Sequence, residues 1–135
     1  MRWAWLMWAL ALTGCAFEPE GARRIDPSPA YQSWWERTQA CSDHRGDFAK
    51  VDFYVVPGAE FSCPTGQCVG RWEPGHRIYI AEKYAGSELV VRHEMLHELL
   101  GGGGHPNPPF GRGCPLTWDS WTGPAYQQAA AVAID

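Results

Sequence analysis

The chain has 135 residues, 45% of them hydrophobic, and a formal net charge of −4. That length leaves room for one small domain and no second core. Mild acidity without a basic stripe gives no footing for nucleic-acid binding, and beyond the first residues no apolar run reaches membrane-spanning length.

Residues 1–14 read as an export signal. Arg2 is a short basic start, Trp3 to Leu12 is an apolar run of ten, and Thr13 and Gly14 follow. Ten apolar residues are too few to cross a bilayer comfortably. Leu12-Thr13-Gly14-Cys15 resembles a bacterial lipobox. That resemblance implies a lipid-anchored protein with Cys15 as its lipidated first residue, and Ala16 after it favours the outer membrane. An ordinary signal peptide cut near Cys15 is the alternative. Residues 15–29, with three prolines, a glycine and mixed charges, then read as a flexible tether.

The folded domain is expected over residues 30–135. Ser28-Pro29 can open a helix. Tyr31, Trp34, Trp35 and Thr38 recur at helical spacing across Ala30 to Ala40, so this is a backing helix, with the tryptophans in core or rim. Cys41 to Asp47 is a polar loop in which His44 is solvent-exposed. Val51 to Val56 is β-branched and aromatic, and Pro57-Gly58 ends it as a central strand. Cys63 to Cys68 is a tight loop. Val69–Trp72 and Arg77–Ala81 are short strands joined by a turn at Glu73-Pro74-Gly75-His76.

Ser87 to Leu100 is the most informative stretch. Ser87 suits an N-cap, Glu88 suits the first turn, and neither Pro nor Gly interrupts. His93 and His97, four apart, project from one face and can grip one metal ion. Glu94 lies about 100° round from His93. Leu89, Val90 and Leu100 flank the histidine face, while Val91, Met95 and Leu99 form a second apolar stripe. A helix apolar on two sides is buried between layers. Two imidazoles and a carboxylate are costly there without partners, and a metal supplies them. An accidental motif with satisfied core histidines is the bland alternative. Gly101 to Gly104 stop the helix and His105 follows.

His93, Glu94 and His97 resemble the core of the zincin metallopeptidases, particularly those with an elongated H-E-x-x-H-x-x-G-x-x-H signature. The chain departs from the elongated part. Leu100 stands in the glycine position with Gly101 one later, and His105 is twelve residues after His93 rather than ten. No methionine follows His105, so the Met-turn branch is not matched. The resemblance implies Zn²⁺ held by His93, His97 and His105, with Glu94 as the catalytic base. It also implies a peptide or protein substrate aligned on an antiparallel edge strand at Cys68–Trp72. Asp119 is an alternative third ligand, ranked behind His105.

Pro106 to Pro115 is irregular, with Phe110 as an anchor to the core. Pro124 to Ile134 could form a weak terminal helix. Tyr126 within it is weighed as an oxyanion stabiliser, though packing is the simpler role. Four cysteines remain beside Cys15, and an even number in a small exported domain reads as two disulfides. Of three connectivities, Cys63–Cys68 with Cys41–Cys114 is preferred. The second bond would clamp the loop after His105 to the backing helix, stabilising by about 3–4 kcal/mol in the chain-entropy picture. A second zinc on four thiolates is the competing reading.

The expectation is therefore an α+β, zincin-like domain: a short mixed sheet of about three strands, a backing helix, a buried active-site helix and two disulfides. It is expected as a monomeric zinc metallopeptidase, lipid-anchored at the cell envelope and hydrolysing peptide or cell-wall amide bonds. The alternative is a lipid-anchored binding or assembly protein with a structural metal or none.

Overall fold

The computed structural model describes residues 14–124 and the backbone of 133–134; residues 1–13 of the export signal, Tyr126 and residues 125–132 of the terminal helix expected from Pro124 to Ile134 lie outside the described residues. Two central strands carry the β-branched and aromatic runs read from the sequence. Strand β2 (Asp52–Val56) pairs in parallel with β5 (Arg77–Ala81), Phe53 opposite Ile78 and Val55 opposite Ile80. The turn before β5 puts His76 at φ 63°.

The sheet is wider than expected. Its main path has five strands rather than about three, in the order β1 (Arg23–Ile25), β2, β5, β4 (Gly66–Glu73) and β3 (Phe61–Cys63), and a short sixth strand pairs with β4 off that path. Strand β1 lies antiparallel to β2, and β3 antiparallel to β4, itself antiparallel to β5. The two added strands have three residues each, too few for alternation to show. Their partners hold them: β2 offers an open edge, and a two-residue turn at Pro64-Thr65 folds β3 back on β4. The stretch read as a tight loop is thus a hairpin.

Part of the segment read as a tether is also laid on the sheet. The Phe17 ring meets Tyr79 edge-on at 5.3 Å, and its carbonyl accepts from the Tyr79 hydroxyl and Arg77, each at 3.2 Å. Tyr54 stacks on Tyr79 at 4.8 Å on this same face. Strand alternation therefore sends Phe53, Val55, Ile78 and Ile80 to the opposite face.

Two helices cover that opposite face. Helix α1 (Pro29–Ser42) starts at Ser28-Pro29 as expected and brings Tyr31 against Phe53 at 5.1 Å. Helix α2 (Glu88–Leu100) packs on α1 and on β4. Cys41 and Cys114 stand at disulfide distance, Cα atoms 5.2 Å apart, and so do Cys63 and Cys68 at 6.0 Å. These are the preferred pairs.

The expectation of an open edge at Cys68–Trp72 needs correction. Strand β4 is antiparallel to β5, but β3 pairs with Gly66 to Cys68. A two-residue strand β6 (Ala133–Ile134), where a helix was expected, runs parallel beside Cys68 and Gly70. Beyond Gly70, among the described residues, β4 pairs with β5 alone. Among the described residues, no helix is long and apolar enough to cross a membrane.

Candidate metal centre

Helix α2 opens where the sequence indicates, with the Ser87 hydroxyl accepting from the Val90 amide at 3.4 Å. Every residue from Leu89 to His97 is buried, because β4 flanks one side and α1 another. Gly101 ends the helix at φ 65°, a left-handed conformation that suits glycine, and its amide donates to the His97 carbonyl at 2.8 Å. The chain then turns back so that His105 faces the helix.

Three imidazoles converge there. His93 Nε2 is 3.0 Å from His105 Nε2 and 3.2 Å from His97 Nε2. The far nitrogens of His93 and His97 are fixed. His93 Nδ1 donates to the Leu116 carbonyl at 2.6 Å and His97 Nδ1 to the Gly102 carbonyl at 2.8 Å. A carbonyl only accepts, so both Nδ1 atoms carry the proton and both Nε2 atoms present lone pairs in the neutral ring. Lone pairs aimed at one point repel unless a cation sits between them. Tetrahedral zinc with bonds of about 2.0–2.1 Å would hold its nitrogens about 3.3–3.4 Å apart, close to the two spacings from His93 Nε2. The Phe110 ring covers all three imidazoles, with centroid distances of 4.8–4.9 Å. The expected core anchor is therefore the floor of the site.

Burial keeps these rings neutral. Desolvation holds His93 well below the ordinary imidazole range, with the neighbouring His97 charge adding to it. It lowers His97 to about 4 and lowers His105, which is more exposed. Glu94 moves the other way: full burial raises its pKa well above the ordinary carboxylate range, against smaller opposing effects of the Trp72 amide and the Arg71 charge. The Trp72 amide favours the ionised form from the strand side, yet neither buried carboxylate oxygen makes a hydrogen bond of ordinary geometry.

The three histidines singled out in the sequence are brought together, with their ligand atoms within 4.8 Å of one another, and can hold a metal ion. Among the described residues Asp119 does not join that group. His44 is engaged by the Ser42 carbonyl at 2.8 Å and His76 by Glu98. Cys15 is exposed and unpaired. Sequence reasoning missed Glu98, which also accepts from the Trp72 indole at 2.6 Å. Trp72 lines a cavity of about 190 Å³ that reaches His97, with Thr65, Arg71 and Gly103. It missed the Leu116 carbonyl too, since a backbone acceptor leaves no residue-type signal.

Comparison of the chain with protein-family models, with curated proteins and with solved structures gives no match.

Proposed function

We propose that the chain is a zinc-dependent metallopeptidase, carried at the cell envelope on a lipidated Cys15, that hydrolyses peptide or related amide bonds. One observation carries this reading. A carboxylate with no hydrogen-bond partner is buried next in sequence to a ligand in a cluster of three neutral imidazoles. A purely structural metal site needs no such group.

In this reading His93, His97 and His105 hold the metal through Nε2. Zinc there supplies Lewis acidity, polarising a scissile carbonyl and lowering the pKa of water towards neutrality. Glu94 accepts the proton of the attacking water and delivers it to the leaving amine. Its raised pKa suits a group that must both take and release a proton near neutral pH. The Leu116 and Gly102 carbonyls keep two imidazoles in the ligating tautomer. The Phe110 ring excludes water from the floor. The cavity beside His97 is the place for a substrate side chain. Zinc is preferred over iron because the ligand set is imidazole only.

The test is metal content and chelator-dependent melting of the protein beside its His105→Ala variant. One zinc per chain is expected, with affinity lowered at least about 100-fold in the variant. Zinc unaffected by the variant moves the third ligand elsewhere. Folded protein that binds no metal rejects the peptidase and leaves an anchored binding protein.

A further inference from the structure

Glycine weakens a strand interior, because it loses the most conformational freedom on folding and packs no side chain. Gly70 nevertheless lies in the middle of β4, next to the fully buried Val69. Its backbone angles do not demand glycine, since its φ lies outside the left-handed region. Space demands it. A Cβ at position 70 would stand 2.6 Å from Glu94 Oε1, 3.1 Å from Glu94 Cγ and 3.0 Å from Val90 Cγ1. Gly70 pairs with Ile80, so a side chain there would point to the face that α2 covers.

The only atoms in this crowd that can yield easily belong to the end of the Glu94 side chain. No hydrogen bond anchors that carboxylate. The bare backbone of β4 and the Val90 methyl confine it, with the Trp72 amide and the Arg71 charge favouring its ionised form. We propose that Gly70 is a positioning residue for Glu94: its missing side chain seats the carboxylate beside the three histidines. Any larger residue at 70 displaces that carboxylate and leaves the imidazoles in place. The seat stands on geometry, and its consequence for hydrolysis rests on the peptidase reading above.

A double-mutant cycle on the full chain tests it, using Gly70→Ala, Glu94→Asp and the pair. Aspartate is one methylene shorter and vacates the space that a Cβ would take. Four readouts are taken: zinc affinity, the melting temperature of the metal-free protein, affinity of the zinc protein for acetohydroxamate, and steady-state peptide hydrolysis. That probe loses a proton as it binds a metal and so reports a base correctly placed next to it. G70A is expected to keep zinc affinity within about 3-fold, weaken acetohydroxamate at least about 10-fold and lower kcat at least about 100-fold, with KM little changed. In the E94D background the same substitution should alter affinities and kcat by less than about 3-fold and leave the melting temperature nearly unchanged, because the clash is gone.

Equal losses in both backgrounds overturn the proposal, as does wild-type acetohydroxamate affinity in G70A. If G70A fails to fold while the double variant folds, the clash is established; if both fail, Gly70 is merely structural and the proposal falls. The metal-free melting cycle separates the two ideas. Coupling there, in a zinc protein that hydrolyses no peptide, retains the seat and rejects the peptidase.

Discussion

Arg92 and Glu94 lie two residues apart on one helix, both charged in their ordinary states and both buried. Their surroundings differ completely. Arg92 Nε donates to the Thr38 hydroxyl at 3.0 Å, one terminal nitrogen to Glu88 at 3.0 Å, and the other contacts Cys41 Sγ at 3.7 Å. Glu88 also accepts from Arg37 at 2.7 Å, so the network joins α2 to α1. Desolvation lowers the Arg92 pKa, but the Glu88 hydrogen bond and charge oppose it. Glu94 has only the weaker opposing effects of the Trp72 amide and the Arg71 charge, and neither of its oxygens makes a hydrogen bond of ordinary geometry. A buried polar group left unsatisfied costs about 1–3 kcal/mol, more when charged. One side chain is therefore part of the architecture. The other is held against the preference of its surroundings, which is the mark of a group kept for chemistry.

Substitution should separate the two. The largest effect is expected from Glu94→Gln, which keeps the shape and removes the base. Hydrolysis should fall about 1,000-fold or more while zinc still binds one per chain. Turnover on a peptide library, measured beside metal content, checks this, and retained hydrolysis would remove Glu94 from the chemistry. Arg92→Ala should do the opposite. It leaves Glu88 with Arg37 alone and opens space between the helices, so stability should drop by about 2–3 kcal/mol in urea unfolding. Zinc affinity of the folded fraction should hardly change. Equal damage to both functions from either variant would erase the distinction.

Much of the scaffold around these two side chains was legible in the sequence, and the missing part has physical causes. Ser87 and Gly101 punctuate α2 with chemistry local to each position, so its bounds were legible. Asp52–Val56 and Arg77–Ala81 announced themselves by residue type. Arg23–Ile25 and Phe61–Cys63 did not, because a three-residue strand is defined by its partner and not by its own pattern. His105 was legible as a candidate only. A run of four glycines has no preferred path, and what brings the ring back is tertiary: the Phe110 floor and the Cys41 to Cys114 pair beyond it. That Glu94 lacks partners could not be read at all, since it depends on which atoms the sheet places opposite. Gly70 inside a strand run was the one available hint.

Acid should expose the histidines next. In metal-free protein His97 titrates at about 4 when folded, against an ordinary value of 6.5. Between those values the unfolded chain binds a proton that the folded chain refuses, so stability is lost as pH falls from about 6.5 towards 4. For His97 alone the loss is at most about 3 kcal/mol. Glu94 works against it, because above its ordinary pKa the folded state keeps a proton that the unfolded state has released. His93 and His105, also held low by burial, add to the loss, so a net fall is expected, read as a drop in melting temperature with EDTA present. A flat profile would mean that the imidazoles are not buried neutral.

The smallest effect is the sharpest for the comparison, because it reverses the usual sign of a core mutation. In metal-free protein Glu94→Gln should raise stability by about 1 kcal/mol at pH 7–8, a gain of about 4 °C or more for a domain near 100 residues. Near neutral pH the unfolded chain carries an ionised Glu94, while burial drives the folded one to hold its proton, and that mismatch destabilises the fold increasingly as pH rises. Glutamine has no proton to mismatch. The gain should shrink as pH falls towards the ordinary carboxylate pKa, where both states of Glu94 are protonated. Arg92→Met, which fills similar space without a charge, should show no comparable pH-dependent gain, since the guanidinium stays protonated across this range. Thermal melts of both variants from pH 5 to pH 8, with chelator, decide it. A pH-independent change in Glu94→Gln would mean that its carboxyl is solvated or paired in solution, and the case that it is held ready for chemistry would go with it.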